Sequence, residues 1–170
     1  MSSNQQLRIR KMILTDMHAV LELRNKDYVR NSMLSQNVIS KAQHGVWFSA
    51  VLQDSTKLYF IFEINGVPSG VVGFFNVIEG EMADWSFYIG TSDAPKGSGT
   101  RMCLLGLSYI FENTGITGLK TIVLEQNKAS RKLHEKLGFR KIGTRGMNSQ
   151  LIFQIDKCDW ENTHEKAVIF

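Results

Sequence analysis

Two cysteines and two prolines in 170 residues leave little room for covalent or metal staples. Cys103 falls in an apolar helical stretch and Cys158 near the end, with no metal-type spacing between them. Free thiols are expected, rather than a disulfide or a zinc site. Long apolar runs are missing as well. No stretch reaches the ~20 residues that cross a bilayer, and the opening MSSNQQLRIRK has no apolar signal core. A cytoplasmic chain without a membrane partner is expected. Nor is there an acidic cluster or a block of like charge. Lys and Arg number 20 against 16 Asp and Glu, a net charge of +4 dispersed along the chain. That modest excess suits small ligands carrying several phosphates. A nucleic-acid partner is not expected, because its surface would cluster cations among exposed aromatics.

What remains is an ordinary globular mix. Apolar residues make up 43% and charged residues 21%, enough to fill one core, so residues 1–170 are expected to form a single domain. Leu7–Arg10 alternates as a strand. Thr15-Asp16 suits the start of a helix carrying Met17, Val20, Leu21 and Leu23, and a second short helical piece follows around Val29–Leu34. Ser40 with Gln43 makes a capping box for a helix over Lys41–Gln53. Leu58–Ile64 and Gly70–Val77 read as hairpin arms about Asn65-Gly66, and Ala83–Ile89 as a further strand. A helix to about Asn113, a strand over Leu119–Glu125, a helix over Lys128–Leu137 ended by Gly138, and strands over Arg140–Gly146 and Gln150–Asp156 complete the chain. Strands that mix hairpins with crossover helices give an α/β class, an α+β mixed sheet.

Two stretches carry chemistry. Lys96-Gly97-Ser98-Gly99-Thr100 follows a strand and opens a long apolar helix. Glycines there allow a sharp turn and close approach, and the helix start leaves N–H groups free for a phosphate. Downstream, Asn127, Ser130, Leu133, His134, Lys136, Gly138 and Phe139 spell N-x-x-S-x-x-L-H-x-K-x-G-F. This resembles the end of the acetyl-CoA site in GCN5-related N-acetyltransferases (GNAT), usually N-x-x-A-x-x-F-Y-x-K-x-G-F. Loop, helix, strand and motif come in that family's order. The resemblance implies the GNAT fold, a central, mostly antiparallel and splayed sheet flanked by helices. The strands ending near Ile89 and Glu125 would part to admit pantetheine.

It also implies acetyl-CoA as co-substrate, with no metal, and direct transfer of acetyl to an amine. The backbone of Gly97, Ser98, Gly99 and Thr100 would hold the pyrophosphate, with Lys96 adding a charge. Asn127 would bond the pantetheine arm, although Asn also suits the N-cap of the next helix, and Ser130 would join the cofactor site. His134 replaces the family's usual tyrosine and would donate a proton to the leaving sulfur as an imidazolium; a structural histidine is the other reading. Many relatives carry a Glu base where this chain has Ile122, which leaves Asp84 and His44 as candidates for the base. A basic face of Lys128, Arg131, Lys132 and Lys136 is either solvated or near the 3′-phosphate.

The first half narrows the acceptor. Glu22-x-Arg24-Asn25, Ile39-Ser40-x-x-x-His44-x-x-Trp47, Tyr59-Phe60-Ile61 and Trp85-x-Phe87-Tyr88-Ile89 resemble a branch making bacterial nonulosonic acids. Its members acetylate the 4-amino group of a UDP-linked 4-amino-4,6-dideoxy-N-acetyl-altrosamine, a precursor of pseudaminic acid. With the C-terminal motif, the similarity runs from about Leu7 to Met147. Arg24, Asn25, His44 and Trp47 would then contact the nucleotide sugar, with Met33, Phe48 and Phe75 as apolar walls. Each has a plainer alternative: Trp47 and Phe48 as core, Arg24 paired with Glu22 or another carboxylate. Protein N-terminal acetylation is the first alternative activity, on the likeness of Arg24–Met33 to those enzymes. Polyamine acetylation ranks lower, for want of an acidic groove. A non-catalytic acyl-CoA-binding module is a different class again. A homodimer is compatible with the resemblance.

Overall fold

Among the described residues there are seven strands, β1 Leu7–Lys11, β2 Leu58–Ile64, β3 Val67–Phe75, β4 Met82–Ile89, β5 Gly118–Leu124, β6 Arg140–Arg145 and β7 Gln150–Asp156; apolar side chains alternate most clearly along β7. Six α-helices accompany them among the described residues: α1 Met17–Arg24, α2 Asp27–Arg30, α3 Lys41–Gln53, α4 Ser98–Asn113, α5 Lys128–Lys136 and α6 Lys157–His164. This computed structural model describes residues 5–146 and 150–164; Met147, where the sequence resemblance ends, lies outside them.

The strands form one sheet in the order β1-β2-β3-β4-β5-β7-β6. Every pair is antiparallel except β4 with β5. Because side chains alternate across a strand, the sheet has two apolar faces. Phe60, Phe62, Val72, Phe74, Ala83 and Trp85 meet Met102, Cys103, Leu107 and Ile110 of α4 on one side. Ile61 and Val71 meet Val20 of α1 and Phe48 and Val51 of α3 on the other. No described helix is long and apolar enough to cross a membrane.

The parallel pair decides where function sits. β4 and β5 are in register only at Met82–Gly118, Ala83–Leu119 and Asp84–Lys120. Beyond Asp84 the two strands keep their outer neighbours, β3 and β7, and lose each other. The expected splay is therefore present.

Several local expectations change. Asp16 sits at the N-cap position of α1, but its side chain makes no capping bond there, and a 3₁₀ turn over Leu14–Asp16 precedes that helix. Its carboxylate instead takes two bonds from Arg10, at 2.7 and 2.8 Å, and one from the Ile13 N–H. The short helix is Asp27–Arg30 rather than Val29–Leu34, and 31–39 runs irregularly. Helix α6 was not expected; its Trp160 packs against Phe111 with ring centroids 5.8 Å apart. The capping box of Ser40 and Gln43 is formed in both directions.

Arg10 also reaches Glu63 at 2.7 Å, and Arg8 reaches the other oxygen at 2.6 Å. Both carboxylates are nearly buried, 5% exposed for Asp16 and 3% for Glu63. Donation from Arg10 holds the Asp16 carboxyl below its ordinary value. Burial pushes Glu63 the other way, but its two arginines outweigh it. Arg10→Ala strips the main partner from two buried carboxylates and is expected to cost about 2–4 kcal/mol, read from urea unfolding. A loss under 0.5 kcal/mol, the ordinary range of surface changes, would show the network to be incidental.

Candidate active site

Two cavities open where β4 and β5 part. The larger, about 680 Å³, is lined by Arg24, His44, Trp47, Tyr59, Phe75 and Asp84, among others, and by much of the 32–39 segment. The smaller, about 290 Å³, is lined by Tyr28, Gly99, Met102, Asn127, Ser130, Leu133 and His134, among others. Ser32, Met33, Ser86, Tyr88, Thr121 and Ile122 line both. The two spaces therefore meet across the gap, the geometry a two-substrate transfer needs.

The smaller space is edged by the glycine loop. Gly97 is the N-cap of α4 and takes φ +90°, a conformation that costs other residues. Its carbonyl accepts from Arg101 N–H. The Ser98 N–H is already spent on Pro95 O at 3.0 Å, so it is not one of the anion donors expected from sequence. Gly97, Gly99 and Thr100 N–H take no backbone partner among the described residues. Ser98 Oγ is buried and unpartnered. Lys96 is exposed beside this turn. Opposite, Asn127 caps α5 through Oδ1 to Ser130 N–H at 3.0 Å. Its Nδ2 donates to Ser32 O at 3.3 Å, tying the 31–39 segment to the same site. A cradle of open amides and an orphaned hydroxyl at a helix start fits a diphosphate.

His134 is 2% exposed and ringed by Trp85, Phe87, Phe139 and Phe153, with centroids 5.0–5.5 Å away. Burial brings its pKa down to about 4, against the hydrogen bond to Ser130 O that raises it. That carbonyl, 2.8 Å from Nδ1, can only accept, so Nδ1 carries the proton. Nε2 is then a buried lone pair without a partner. The expected imidazolium donor is corrected: near neutral pH this ring is neutral, because an aromatic cage cannot solvate its charge.

In the larger cavity Arg24 keeps a single bond, Nη2 to Ser35 O at 2.9 Å. Its Nη1 is buried without a partner, and no described carboxylate pairs with it. Burial, foremost, draws its pKa down. The pairing with Glu22 offered as an alternative is not made, since Glu22 meets His18. His44, 3% exposed, has Nε2 2.8 Å from Met17 O, and burial lowers its pKa. It is a neutral ring, not a cation for phosphates. Trp47 is 37% exposed and stands edge-on to Tyr59, centroids 5.4 Å apart.

Two expected contacts fall away. Asn25 spends its carboxamide on Ile39, donating to its O at 2.8 Å and accepting from its N–H at 2.9 Å. It clamps the cavity wall instead of facing the acceptor. Phe48 is fully buried core. Asp84 lines the cavity at the last β4–β5 pair, and Asn76 Nδ2 donates to its Oδ2 at 2.7 Å. Sequence reasoning did not find Tyr59, Tyr88, Ser86 or Asn76. The period-2 alternation of Asp84, Ser86 and Tyr88 was the available signal, since it puts them on one face. Burial raises the phenol of Tyr59 to about 12 and that of Tyr88 further, keeping both protonated as donors.

A family model for the acetyltransferase (GNAT) domain matches residues 6–140. Comparison with curated proteins finds no match. Among solved structures, spermidine N-acetyltransferase from Vibrio cholerae, in complex with CoA and spermine, aligns with a TM-score of 0.80 at 17% identity. The alignment covers 91% of this chain and 98% of that one. Aminoglycoside acetyltransferase AAC(6′)-Ib in complex with coenzyme A gives 0.79 at 17%, covering 94% and 99%. A domain from Methanocaldococcus jannaschii gives 0.76 at 19%, covering 90% and 99%. At such identities the likeness is one of fold.

The His134 environment predicts a pH effect on stability. The folded pKa of about 4 lies below the ~6.5 of an unfolded histidine. As pH falls through that window the unfolded chain binds the proton first, so stability falls, by up to about 3 kcal/mol, and is flat above it. Asp16 and Glu63 act lower, with stability lost only below their ordinary ~4. Melting curves of His134→Phe should therefore show a shallower slope between pH 6.5 and 4, the remainder coming from His44, whose pKa burial also lowers, and keep the fall below it. An unchanged slope would mean the ring is charged in the fold.

Proposed function

The chain belongs to the GNAT acetyltransferase family, and as an acetyl-CoA-dependent N-acetyltransferase it acts, we propose, on the 4-amino group of a UDP-linked 4-amino-4,6-dideoxy sugar. The observation that carries this is Arg24, a half-buried guanidinium in the acceptor cavity without a carboxylate to neutralise it. A cation held that way favours an acceptor bringing its own anion, as a diphosphate does. Asp84 is the one carboxylate among the residues lining the cavity, and a polyamine would want several. Trp47 and Tyr59 offer aromatic surface for a base, and the neutral His44 and protonated Tyr88 suit sugar hydroxyls and amides.

In this proposal the donor lies in the smaller cavity, with its diphosphate on the Gly97–Thr100 turn. Its amide-bearing arm lies along β4, whose alternate N–H and C=O groups beyond Asp84 have no strand beside them. Asn127 borders that path. The acceptor nitrogen attacks the acetyl carbonyl carbon as the C–S bond breaks. Asp84 takes the amine proton through a water molecule, and the departing thiolate takes one from solvent. His134, neutral near pH 7, holds the wall behind the sulfur rather than supplying that proton.

Thiol release from acetyl-CoA with four acceptors tests the proposal: the UDP-linked 4-amino sugar, its dTDP analogue, an N-terminal peptide and spermidine. Turnover confined to the UDP-sugar supports it; turnover on peptide or spermidine alone would replace it. Arg24→Gln should then raise the acceptor KM about tenfold or more, the worth of a charge-assisted contact, and leave the acetyl-CoA KM unchanged.

Gly99 separates fold from ligand. A Cβ there would meet only Leu133 and Ile89, at 3.8 and 3.9 Å, which is ordinary contact. Gly99→Val should melt within a few degrees of wild type yet weaken CoA binding at least tenfold, measured by calorimetry. Undiminished affinity would remove the diphosphate from this turn.

A further inference from the structure

Asp84 does not stand alone at the fork. Asn76, directly after β3, takes φ +56°, and the other described non-glycine residue with positive φ is Asn65. Asn65 has an evident reason, since it and Gly66 make the β2–β3 hairpin turn. Asn76 is followed by Val77 and Ile78, so no tight Asn-Gly turn calls for its conformation. A residue with a Cβ is strained there, though Asn less than most. A glycine would adopt it freely, but would bring no carboxamide.

That carboxamide is spent on one atom, donating from Nδ2 to Asp84 Oδ2 at 2.7 Å. No described group donates to Oδ1 of Asp84. The surroundings supply no substitute anchor. Lys120, the partner of Asp84 across β4–β5, is on the same face of the sheet, and Phe75 is its neighbour on β3. Arg24, His44, Tyr59 and Tyr88 are the other titratable groups lining the cavity. None forms an ion pair with Asp84 among the described residues.

We propose that Asn76 is a positioning residue for the transfer, its left-handed backbone kept so that its amide holds one oxygen of Asp84 and leaves the other to the water that carries the acceptor amine's proton. This rests on Asp84 being the proton acceptor. The amide fixes the plane of the carboxylate at the last paired residue before the gap.

The test is kcat/KM against pH for wild type, Asn76→Gly, Asn76→Asp and Asp84→Asn, read by thiol release with acetyl-CoA and the UDP-linked 4-amino sugar. If the panel selects another amine, the same profiles are taken with it, since each amine must lose a proton. Asn76→Gly keeps the backbone conformation and should melt no lower than wild type. Its kcat should nevertheless fall about five- to tenfold with both KM values little changed. Asn76→Asp should lose more, because it sets a second carboxylate against the first. Asp84→Asn should lose about a hundredfold or more, the range of general base catalysis. A glycine variant whose profile overlays the wild type while Asp84→Asn is impaired overturns the positioning role and keeps Asp84 as base. Full activity in Asp84→Asn overturns both.

Discussion

The parting of β4 from β5 after three paired residues is the constraint on which the rest depends. Each strand is secured on its far side by an antiparallel partner, β3 for one and β7 for the other. The sheet therefore opens at one parallel seam and stays closed elsewhere. The opening leaves backbone donors and acceptors without a strand, which is costly unless something else pairs with them. It also brings side chains of two separate cavities to a common edge at Ser86, Tyr88, Thr121 and Ile122. The open strand edges and the junction of the two cavities thus follow from a single break in pairing.

The two ends of the molecule treat arginine differently. At the β1–β2 edge Arg10 is shared between Asp16 and Glu63, and Arg8, Arg10, Asp16 and Glu63 each have an opposite charge within 2.8 Å. In the larger cavity Arg24 has only a backbone carbonyl, and part of its guanidinium is buried without a partner. The first arrangement is self-contained. The second is incomplete in the way a binding site is, because a desolvated cation gains most when a ligand supplies the missing charge. The irregular 31–39 segment completes the wall. Its carbonyls accept from Arg24, Arg30, Asn25 and Asn127, so side chains of both cavities hold it in place.

Burial reverses the roles that composition suggests for the histidines. His44 and His134 would be cations if solvated, one for a phosphate and one for a departing thiolate. Each instead directs one ring nitrogen to a backbone carbonyl and is hemmed in by aromatic rings. Both are neutral near pH 7 and offer at most a lone pair. Charge in the larger cavity then rests on Arg24 and Asp84.

Much of this was legible in the residues themselves. The Ser40–Gln43 box, the Asn65-Gly66 turn, the alternation of Leu58–Ile64 and the glycine turn before α4 are local, and local chemistry is enough to set them. The N-x-x-S-x-x-L-H-x-K-x-G-F run carried the family, because that spacing fixes one face and one cap of a single helix. The unforeseen features depend on contacts across the chain. Asn25 was drawn off to Ile39, His134 lost its charge to rings from β4, β7 and the α5–β6 turn, and Asn76 met Asp84 across the β3–β4 connection. Spacing along the chain determines which way a side chain leaves the backbone. Only tertiary packing decides whether water or another side chain meets it there, and that sets its charge and its partner.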